Sequence, residues 1–495
     1  MAITIVGLGP GDANHLSREV WELLNSTDIL YLRTEHHPVV AELPKHLEIR
    51  SFDHLYESVH DFGELYRQIA STILDYGKAD QEVIYAVPGH PLVGESTVSA
   101  IISEAQAQDI EVRILPGISF IEPSLSALNI DALDGIQVFD AVQIAAFTQP
   151  PLNTDIPLLL GQVYNRFLAS EVKIALMAMY PDDHEVVLIH AAGTRNQLLE
   201  NLHLYEMDRS ERISHLTSMF VPPMANPSSL PSFAETVAFL RGPDGCPWDQ
   251  EQTRQSLRQD FLEEVAEVLE AIDADDPSEI REELGDVLYH LVMQAQIASE
   301  MGEFTLSEVI AEINAKLVRR HPHIWGDEEV EDTADVLQNW EQLKAEEKAY
   351  KDAQSSLLDN VPSMLPALAR AQKIQSRVQT VGFDWPTIEG VAAKLEEELS
   401  ELREAREAGR VSDELGDVLF ALVNWARWLG VHAETALREA NARFERRFRA
   451  LELMAENRGQ SLVDLGLSEL DDLWEEAKIL LSDLSTGNQT DTLER

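Results

Sequence analysis

The sequences EELGDVL (282–288) and DELGDVL (413–419) are nearly identical, and each follows an acidic cluster, LEEVAE at 262–267 or LEEELSE at 395–401. The motif recurs with a period of about 130 residues, far longer than the roughly 20–50 residues of solenoid repeats. Both copies combine carboxylates with apolar residues at helical spacing. The second half of the chain is therefore predicted to contain two copies of one all-α domain.

Each copy carries two pairs of carboxylates, and the members of a pair are three residues apart, which places them on one helix face. In the first copy Asp276 and Pro277 stand between the pairs, and both residue types favour a helix N-terminus. We therefore expect an antiparallel helical hairpin on which the two pairs face each other. The carboxylates are Glu264, Glu267, Glu283 and Asp286 in the first copy, and Glu398, Glu401, Glu414 and Asp417 in the second.

Apolar residues flank these carboxylates and predict that the acidic groups border a core. In the first copy they are Val265, Leu269, Leu284, Val287 and Leu288. Unpaired carboxylates beside a core would repel one another and lose hydration. A hard cation such as Mg²⁺ removes both penalties, since its ligands are carboxylates, waters and substrate phosphates. One such set is also compatible with a solvated surface hairpin, but two matched sets favour a metal site.

The helical half resembles the MazG-type all-α nucleoside triphosphate pyrophosphohydrolases over roughly residues 232–480. The resemblance implies cleavage of an NTP or dNTP to the NMP or dNMP and pyrophosphate, with Mg²⁺ held by the eight carboxylates named above. It extends to five further blocks: GCPWDQEQTRQSL (245–257), KLVRRHPHIWG (316–326), LARAQKIQ (368–375), VGFDW (381–385) and NARFERRF (441–448).

The same resemblance implies roles for other residues around the two sites. Glu263 and Glu397 would bind a second ion or position the attacking water. Arg443 stands where the family usually has lysine, and Arg254 where it usually has histidine. In two-copy relatives the second copy is often the active one. The candidate phosphate-binding cations are Lys316, Arg319 and Arg320 in copy one and Lys394, Arg443 and Arg447 in copy two; Phe383, Trp385 and Trp474 would stack on the base or belong to the core.

The first 220 or so residues alternate short apolar runs with helical patterns, which predicts an α/β domain with a mostly parallel sheet. The predicted helices include 17–25 and 95–108. The predicted strands are ITIVGLG (3–9), EVIYAVPG (82–89), VRILPG (112–117), AVQIAAF (141–147) and VKIALMAMY (172–180).

Three glycine turns follow predicted strands: GLGPGD (7–12), PGHP (88–91) and PG at 116–117. Such turns allow a ligand to approach the backbone closely. With MYPDDHE (179–185) and LTSMFVPP (216–223) they resemble the tetrapyrrole (corrin/porphyrin) methylases, whose cofactor is S-adenosylmethionine. His90 stands where corrin-methylating members have aspartate, and it either contacts a ligand or stabilises the turn. The residues implied to bind the cofactor are Gly7, Gly9, Pro10, Gly11, Pro88, Gly89 and Gly117.

The whole arrangement resembles the YabN-like fusion of a methylase domain with a duplicated MazG domain. The expected fold is a two-lobed α/β methylase-like domain followed by two all-α MazG-like domains. The methyl acceptor, the preferred NTP and any communication between the halves stay open. The expected boundaries are 1–222 for the methylase-like domain, 223–232 for a linker, 233–350 for the first MazG-like domain, 351–364 for a second linker, 365–482 for the second MazG-like domain and 483–495 for a disordered tail.

The net charge of −49 excludes nucleic acid and anionic membranes as expected partners, because both carry negative charge. The single cysteine, Cys246, is typical of a reducing cytoplasm. The N-terminus shows no signal-peptide pattern, and no apolar run approaches the roughly 18–20 residues of a membrane span.

Three functional interpretations fit the sequence. The first is a Mg²⁺-dependent hydrolase with a methylase domain. The second is a methyltransferase whose MazG part dimerises it or senses nucleotides, and the third is a nucleotide-binding module without turnover. The intact carboxylates of both copies favour the first. Carboxylate sites of this kind are often completed by dimerisation, so we expect a homodimer.

Overall fold

The computed structural model describes residues 2–58, 62–79, 82–336, 339–340, 342–343, 356–359, 361–408 and 410–487. The chain forms two compact units, Met1–Asn314 and Ala315–Arg495. Part of the predicted second linker, 351–355 and 360, lies outside the described residues, as does the predicted tail beyond 487. No helix within the described ranges has the length and apolarity that a bilayer crossing requires.

The first sheet contains five strands in the order β3-β2-β4-β1-β5, and every neighbouring pair is parallel. The predicted strands at 3–9, 82–89 and 112–117 and the predicted helices at 17–25 and 95–108 are confirmed. The strands are β1 (Ala2–Gly7), β2 (Ile29–Leu32), β3 (Glu48–Ser51), β4 (Val83–Val87) and β5 (Glu111–Leu115), and the helices are α1 (Arg18–Ser26), α2 (Asp53–Ser58), α3 (Phe62–Lys78) and α4 (Ser96–Ala107).

The second sheet has the order β6-β7-β10-β8-β9. Only β6 and β7 run parallel, while the other three pairs are antiparallel. The prediction of a mostly parallel sheet therefore holds for the first lobe and is wrong for the second. This lobe comprises α5 (Ile121–Leu128), β6 (Gln137–Asp140), α6 (Ala141–Ala145), β7 (Leu158–Gly161), α7 (Arg166–Met177), β8 (Glu185–His190), β9 (Leu198–His203) and β10 (Thr217–Val221).

Two strand predictions in this lobe are wrong, because 141–147 begins with helix α6 and 172–180 belongs largely to helix α7. Both helices begin with a side-chain cap: Asp140 accepts a hydrogen bond from the Val142 amide, and Asn165 accepts one from the Leu168 amide. A short apolar run is equally compatible with a buried helix and a strand. At both places the side-chain cap favours a helix over a strand.

The helical part contains two hairpins of the predicted kind, α10–α11 and α15–α16, whose helices pack against one another. The helices are α8 (Leu230–Arg241), α9 (Pro247–Glu251), α10 (Arg258–Ala274), α11 (Pro277–Glu300), α12 (Leu306–Arg320), α13 (Pro322–Trp325), α14 (Ala367–Gln379), α15 (Ile388–Ala408), α16 (Val411–Trp428), α17 (Ala433–Asn457) and α18 (Leu467–Gly487). Helix α18 extends to Gly487, five residues into the segment predicted as the tail.

The segment predicted as the first linker, 223–232, is attached to the second lobe. Asp155 accepts hydrogen bonds from the Ser228 amide (2.7 Å) and the Ser229 hydroxyl (2.6 Å), and the Met224 amide donates to the Thr154 carbonyl (2.8 Å). Burial alone would raise the pKa of Asp155, but hydrogen bonds from serines hold it well below its usual range. Helix α8 already begins at Leu230, so 230–232 are helical.

Candidate active sites

Three of the four predicted carboxylates in the first copy converge between α10 and α11. One oxygen each of Glu264, Glu267 and Glu283 lies within 4.8 Å of the others. The hairpin brings them together because α11 restarts immediately after α10. Asp276 accepts hydrogen bonds from the Ser278 (2.9 Å) and Glu279 amides, so the predicted N-cap is confirmed.

The charges of the first set repel one another. Partial burial, followed by the charges of Glu267, Asp286 and Glu283, raises the pKa of Glu264. Partial burial, followed by the charges of Glu267 and Asp286, also raises the pKa of Glu283. Asp286 is not a member of the converging group, although its charge acts on both glutamates. A site whose carboxylates raise one another's pKa is suited to a cation.

The second copy forms the same group from Glu398 and Glu401 on α15 and Glu414 on α16, again within 4.8 Å. Glu398 and Glu414 are buried. Among the side chains that the structure describes, two cations touch this set: Lys394 Nζ lies 2.9 Å from Glu398 Oε1, and Arg410 Nη1 lies 3.3 Å from Glu414 Oε1. The hydrogen bond to Glu398, and a second one to Glu397 (2.9 Å), raise the pKa of Lys394.

Glu397, predicted to lie beside the second set, forms an ion pair with Lys394. Its counterpart Glu263 is exposed and accepts a hydrogen bond from Gln259 Nε2 (2.9 Å). Asp417 is not in the converging group of copy two. It lines an adjacent cavity together with Glu398.

This cavity of about 220 Å³ lies beside the second carboxylate set. It brings together five of the predicted site residues: Phe383, Trp385, Lys394, Glu398 and Asp417. Sequence reasoning missed the rest of the lining, namely Ile374, Gln375, Val378, Asp384, Val391, Phe420, Ala421, Asn424 and Arg427. The spacing along α14 and α16 could have indicated Gln375 and Asn424, since both are polar residues on buried helix faces.

A buried ion pair fixes one wall of the cavity. Arg427 Nη2 lies 2.6 Å from Asp384 Oδ2, and both side chains are about one-tenth exposed. Arg427 also donates to Asn424 Oδ1 from Nε (3.0 Å) and Nη2 (2.8 Å). Burial alone would raise the pKa of Asp384, but the Arg427 guanidinium and the Trp428 indole hold it below its usual range.

Other predicted residues lie elsewhere. Trp474 on α18 contacts Phe444 with tilted rings, 4.9 Å between centroids, and packs against a small core cluster; it is not among the residues that line this cavity. Arg443 on α17 pairs with Glu439 at 3.6 Å, and Arg447 lies one turn further along. Lys316, Arg319 and Arg320 lie in the last turns of α12, and their assignment to the first copy stays a prediction.

The two copies differ at positions that matter. The register of the carboxylates places Asp260 of copy one opposite Lys394 of copy two. The ungapped register of α11 and α16 also places Met293 opposite Asn424 and Gln296 opposite Arg427. Arg254, in the family's histidine position, pairs with Glu303. Copy one thus keeps the carboxylates but differs at two of the positions that line the cavity in copy two.

In the methylase-like part the three glycine turns meet. Gly9 and Gly89 exchange backbone hydrogen bonds of 3.2 and 2.8 Å. A Cβ on Gly7 would lie 2.5 Å from the Gly89 oxygen, and one on Gly117 would lie 2.3 Å from it. Gly9, Gly11 and Gly89 also have positive φ. Only glycine fits this backbone junction, with Pro10 and Pro88 beside it.

His90 in the second turn accepts a hydrogen bond from the Leu92 amide (3.0 Å) through Nδ1. The structure therefore supports its role in stabilising the turn.

Sequence reasoning also missed a buried ionisable cluster at the carboxyl edge of the first sheet. Arg33, after β2, lies 3.2 Å from Glu95, at the start of α4. Burial raises the pKa of Glu95 to about 7, although Arg33 opposes the shift. His37 contacts the Gly9 backbone, and burial lowers its pKa to about 4. These residues are scattered in sequence, so no local motif could reveal them.

The methylase-like and helical parts each match a known protein family, and nearly the whole chain matches one known protein. The family model of the tetrapyrrole (corrin/porphyrin) methylases matches residues 2–208. The model of the MazG nucleotide pyrophosphohydrolase domain matches residues 252–325. The protein YabN of Bacillus subtilis (strain 168) is 42% identical over 485 residues, which cover 96% of this chain and 98% of that protein. The chain belongs to the YabN-like family.

The helical part of this YabN-like chain is similar to the nucleoside triphosphate pyrophosphohydrolase of Escherichia coli (strain K12). The identity is 47% over 245 residues, or 48% of this chain and 93% of that protein. The methylase-like part is similar to the methyltransferase CobJ, with a TM-score of 0.36, 16% identity, and coverage of 46% of this chain and 97% of that one. The predicted two-lobed methylase-like domain followed by MazG-like helical structure is confirmed by the family matches.

Proposed function

We propose that the chain is a Mg²⁺-dependent nucleoside triphosphate pyrophosphohydrolase whose working site is the second MazG copy. One observation carries the proposal: the carboxylates Glu398, Glu401 and Glu414 converge beside a cavity lined by Trp385 and Lys394. The similarity to the Escherichia coli pyrophosphohydrolase supports the same reaction class. The products would be an NMP or dNMP and pyrophosphate.

The donor set fits the proposed ion, since three carboxylates within 4.8 Å of one another offer the oxygen ligands that Mg²⁺ prefers. Bound there, Mg²⁺ would neutralise phosphate charge and acidify the attacking water. Asp417, on the cavity wall, is a further candidate ligand. Glu397 would orient the water, while Lys394, Arg443 and Arg447 would bind the phosphate oxygens.

The first copy would have a lesser role in turnover. It keeps Glu264, Glu267 and Glu283 in one group, which fits metal binding, with Asp286 and Glu263 nearby. It places Asp260 where copy two has Lys394, so it would add negative charge where a triphosphate needs a cation.

The methylase-like part is proposed to bind S-adenosylmethionine at the junction of the three glycine turns. Cβ atoms on Gly7 and Gly117 would clash with the backbone of the neighbouring turns, and Gly89 has positive φ, so glycine at these positions is what lets the three turns meet. The acceptor of a methyl group stays unassigned. The lone cysteine, Cys246, is free, which fits our assignment of the protein to the cytoplasm.

Pyrophosphate release from a panel of NTPs and dNTPs tests the hydrolase proposal. Four proteins would be compared with Mg²⁺: wild type, Glu264→Gln/Glu267→Gln, Glu398→Gln/Glu401→Gln, and Glu396→Gln as a control carboxylate outside the group. We expect the change in copy two to lower kcat/KM at least about 100-fold, since even indirect metal partners cost 10–100-fold. The copy-one variant and the control should keep most of the activity.

Two results would contradict the proposal. Equal losses in both double variants would make the copies equivalent. If wild type releases pyrophosphate from no nucleotide, the carboxylates bind or sense without turnover, and the alternative of a methyltransferase with a MazG dimerisation or nucleotide-sensing module gains support.

A further inference from the structure

One buried side chain in the cavity of copy two has an unused hydrogen-bonding atom. Gln375 on α14 is 5% exposed, and its Nε2 donates to the Phe420 carbonyl at 2.8 Å. A backbone carbonyl only accepts, so this bond fixes the orientation of the amide. Gln375 Oε1 is consequently an acceptor, and it has no partner. Since buried acceptors are rarely left unpaired, this atom indicates a missing donor.

A second amide on the same wall is oriented in the opposite sense. Asn424 is 4% exposed, and its Oδ1 accepts from Nε and Nη2 of Arg427. Its Nδ2 donors therefore point away from the guanidinium. Gln375 and Asn424 both line the cavity, so its wall offers one acceptor and one donor.

The surroundings identify the kind of group that fits. Phe383 and Trp385 line the same cavity, and aromatic rings stack on flat heterocycles. Lys394 and Glu398 also line it, and they are the groups proposed to deal with phosphates and metal. A nucleotide whose phosphates face Lys394 would therefore place its base between the aromatic rings and the amides.

We infer that Gln375, together with Asn424, recognises the hydrogen-bonding edge of the nucleobase and requires a base that presents an N–H donor. The inference rests on the proposed function, whose nucleotide site it specifies. All common bases carry an N–H next to an acceptor, so the site tolerates them while rejecting a base without the donor. Copy one has Met293 in place of Asn424, so its wall lacks the amide pair.

Two substrates that differ only in the donor test this inference: ATP and purine riboside triphosphate, which lacks the 6-amino group. We expect wild type to prefer ATP by roughly 10- to 100-fold in kcat/KM, since an unmatched buried polar group is costly. In Gln375→Met the ratio should fall towards one. Because it compares two substrates on one protein, the ratio does not depend on how much of a variant is folded.

Gln372→Met is the matched control. Gln372 lies one turn earlier on α14, where Nε2 donates to the Val431 carbonyl and Oε1 accepts from the Ala433 amide, both at 2.9 Å. Its amide is fully used within the protein, and it does not line the cavity. The substrate ratio of this variant should equal that of wild type.

Binding of the α,β-methylene analogues of the two nucleotides, measured by calorimetry, separates this inference from the proposed function. No turnover with an intact binding preference would overturn hydrolysis and retain base recognition. A wild-type ratio near one in binding and turnover would overturn base recognition alone. So would an unchanged ratio in Gln375→Met.

Discussion

At the scale of single residues, the two carboxylate sets differ in how their charge is balanced. Glu264 has only acidic groups among the charges that shift its pKa, whereas Glu398 is 2.9 Å from Lys394. A raised pKa in the folded state means that the contribution of Glu264 to stability is present below its unfolded pKa and is lost as the pH rises through the folded value. Without a cation, the first set is therefore a source of instability at neutral pH.

Thermal unfolding in EDTA at pH 7 should reveal the difference. Glu264→Gln is expected to raise the Tm, because it removes repulsion. Glu398→Gln is expected to lower it, because Lys394 loses the more buried of its two carboxylate partners. Both shifts should stay within roughly 2–4 °C, which corresponds to ~1 kcal/mol in a domain of 150–250 residues.

Glu270→Gln, an exposed change on α10 outside the group, serves as the control and should leave the Tm unchanged. Saturating Mg²⁺ should reverse the advantage of Glu264→Gln, since wild type then gains more from binding. A lower Tm for Glu264→Gln in EDTA would refute the repulsion argument.

At the scale of helices, the hairpin of copy one depends on a cap that the sequence predicts. Asp276→Ala removes the acceptor of the Ser278 and Glu279 amides and should lower the free energy of unfolding by about 1 kcal/mol. Urea denaturation measures it. Glu282→Ala, exposed on the same helix, should change stability by less than about 0.5 kcal/mol, and equal effects would show that the cap contributes little.

The same contrast explains which elements the sequence could predict. The carboxylate hairpins could be predicted from the i, i+3 spacing of the acidic residues and from the Asp276 cap. The glycine turns could be predicted because glycine is favoured where the backbone has positive φ or packs closely. The apolar runs at 141–147 and 172–180 suggested strands because Asp140 and Asn165, which cap the two helices, precede those runs. The amide pair Gln375 and Asn424 comes from two helices, and only tertiary packing shows that both face one cavity.

At the scale of the whole molecule, most of the apolar residues expected to form a core beside the carboxylates of copy one are exposed in a single chain. Val265, Leu269, Leu284 and Leu288 are each more than one-third exposed, so that part of the sequence prediction is wrong for a single chain. Leu399, Leu415 and Leu419 are similarly exposed in copy two. A second copy of the chain is the proposed cover, because matched apolar faces are self-complementary in a two-fold dimer.

Light scattering should then give a mass of about twice the 55.5 kDa of the chain. Leu284→Lys/Leu415→Lys, which places charges in both faces, should shift the mass to that of one chain, since a buried charge without a partner is costly. Leu133→Lys, a change at an exposed leucine of the methylase-like part, is the control. A wild-type mass of one chain at micromolar concentration would argue against the homodimer.

The attachment of residues 224–229 to Asp155 and Thr154 affects how the gene can be divided. A fragment that stops at residue 222 would lose the serines that solvate the Asp155 carboxylate. Extending it through α8 exposes Val237, which packs with Val292 and Met293 of α11. Either cut exposes groups that are hydrogen-bonded or buried in the intact chain. Each half is therefore better studied by inactivating the other within the full-length polypeptide than by excising it.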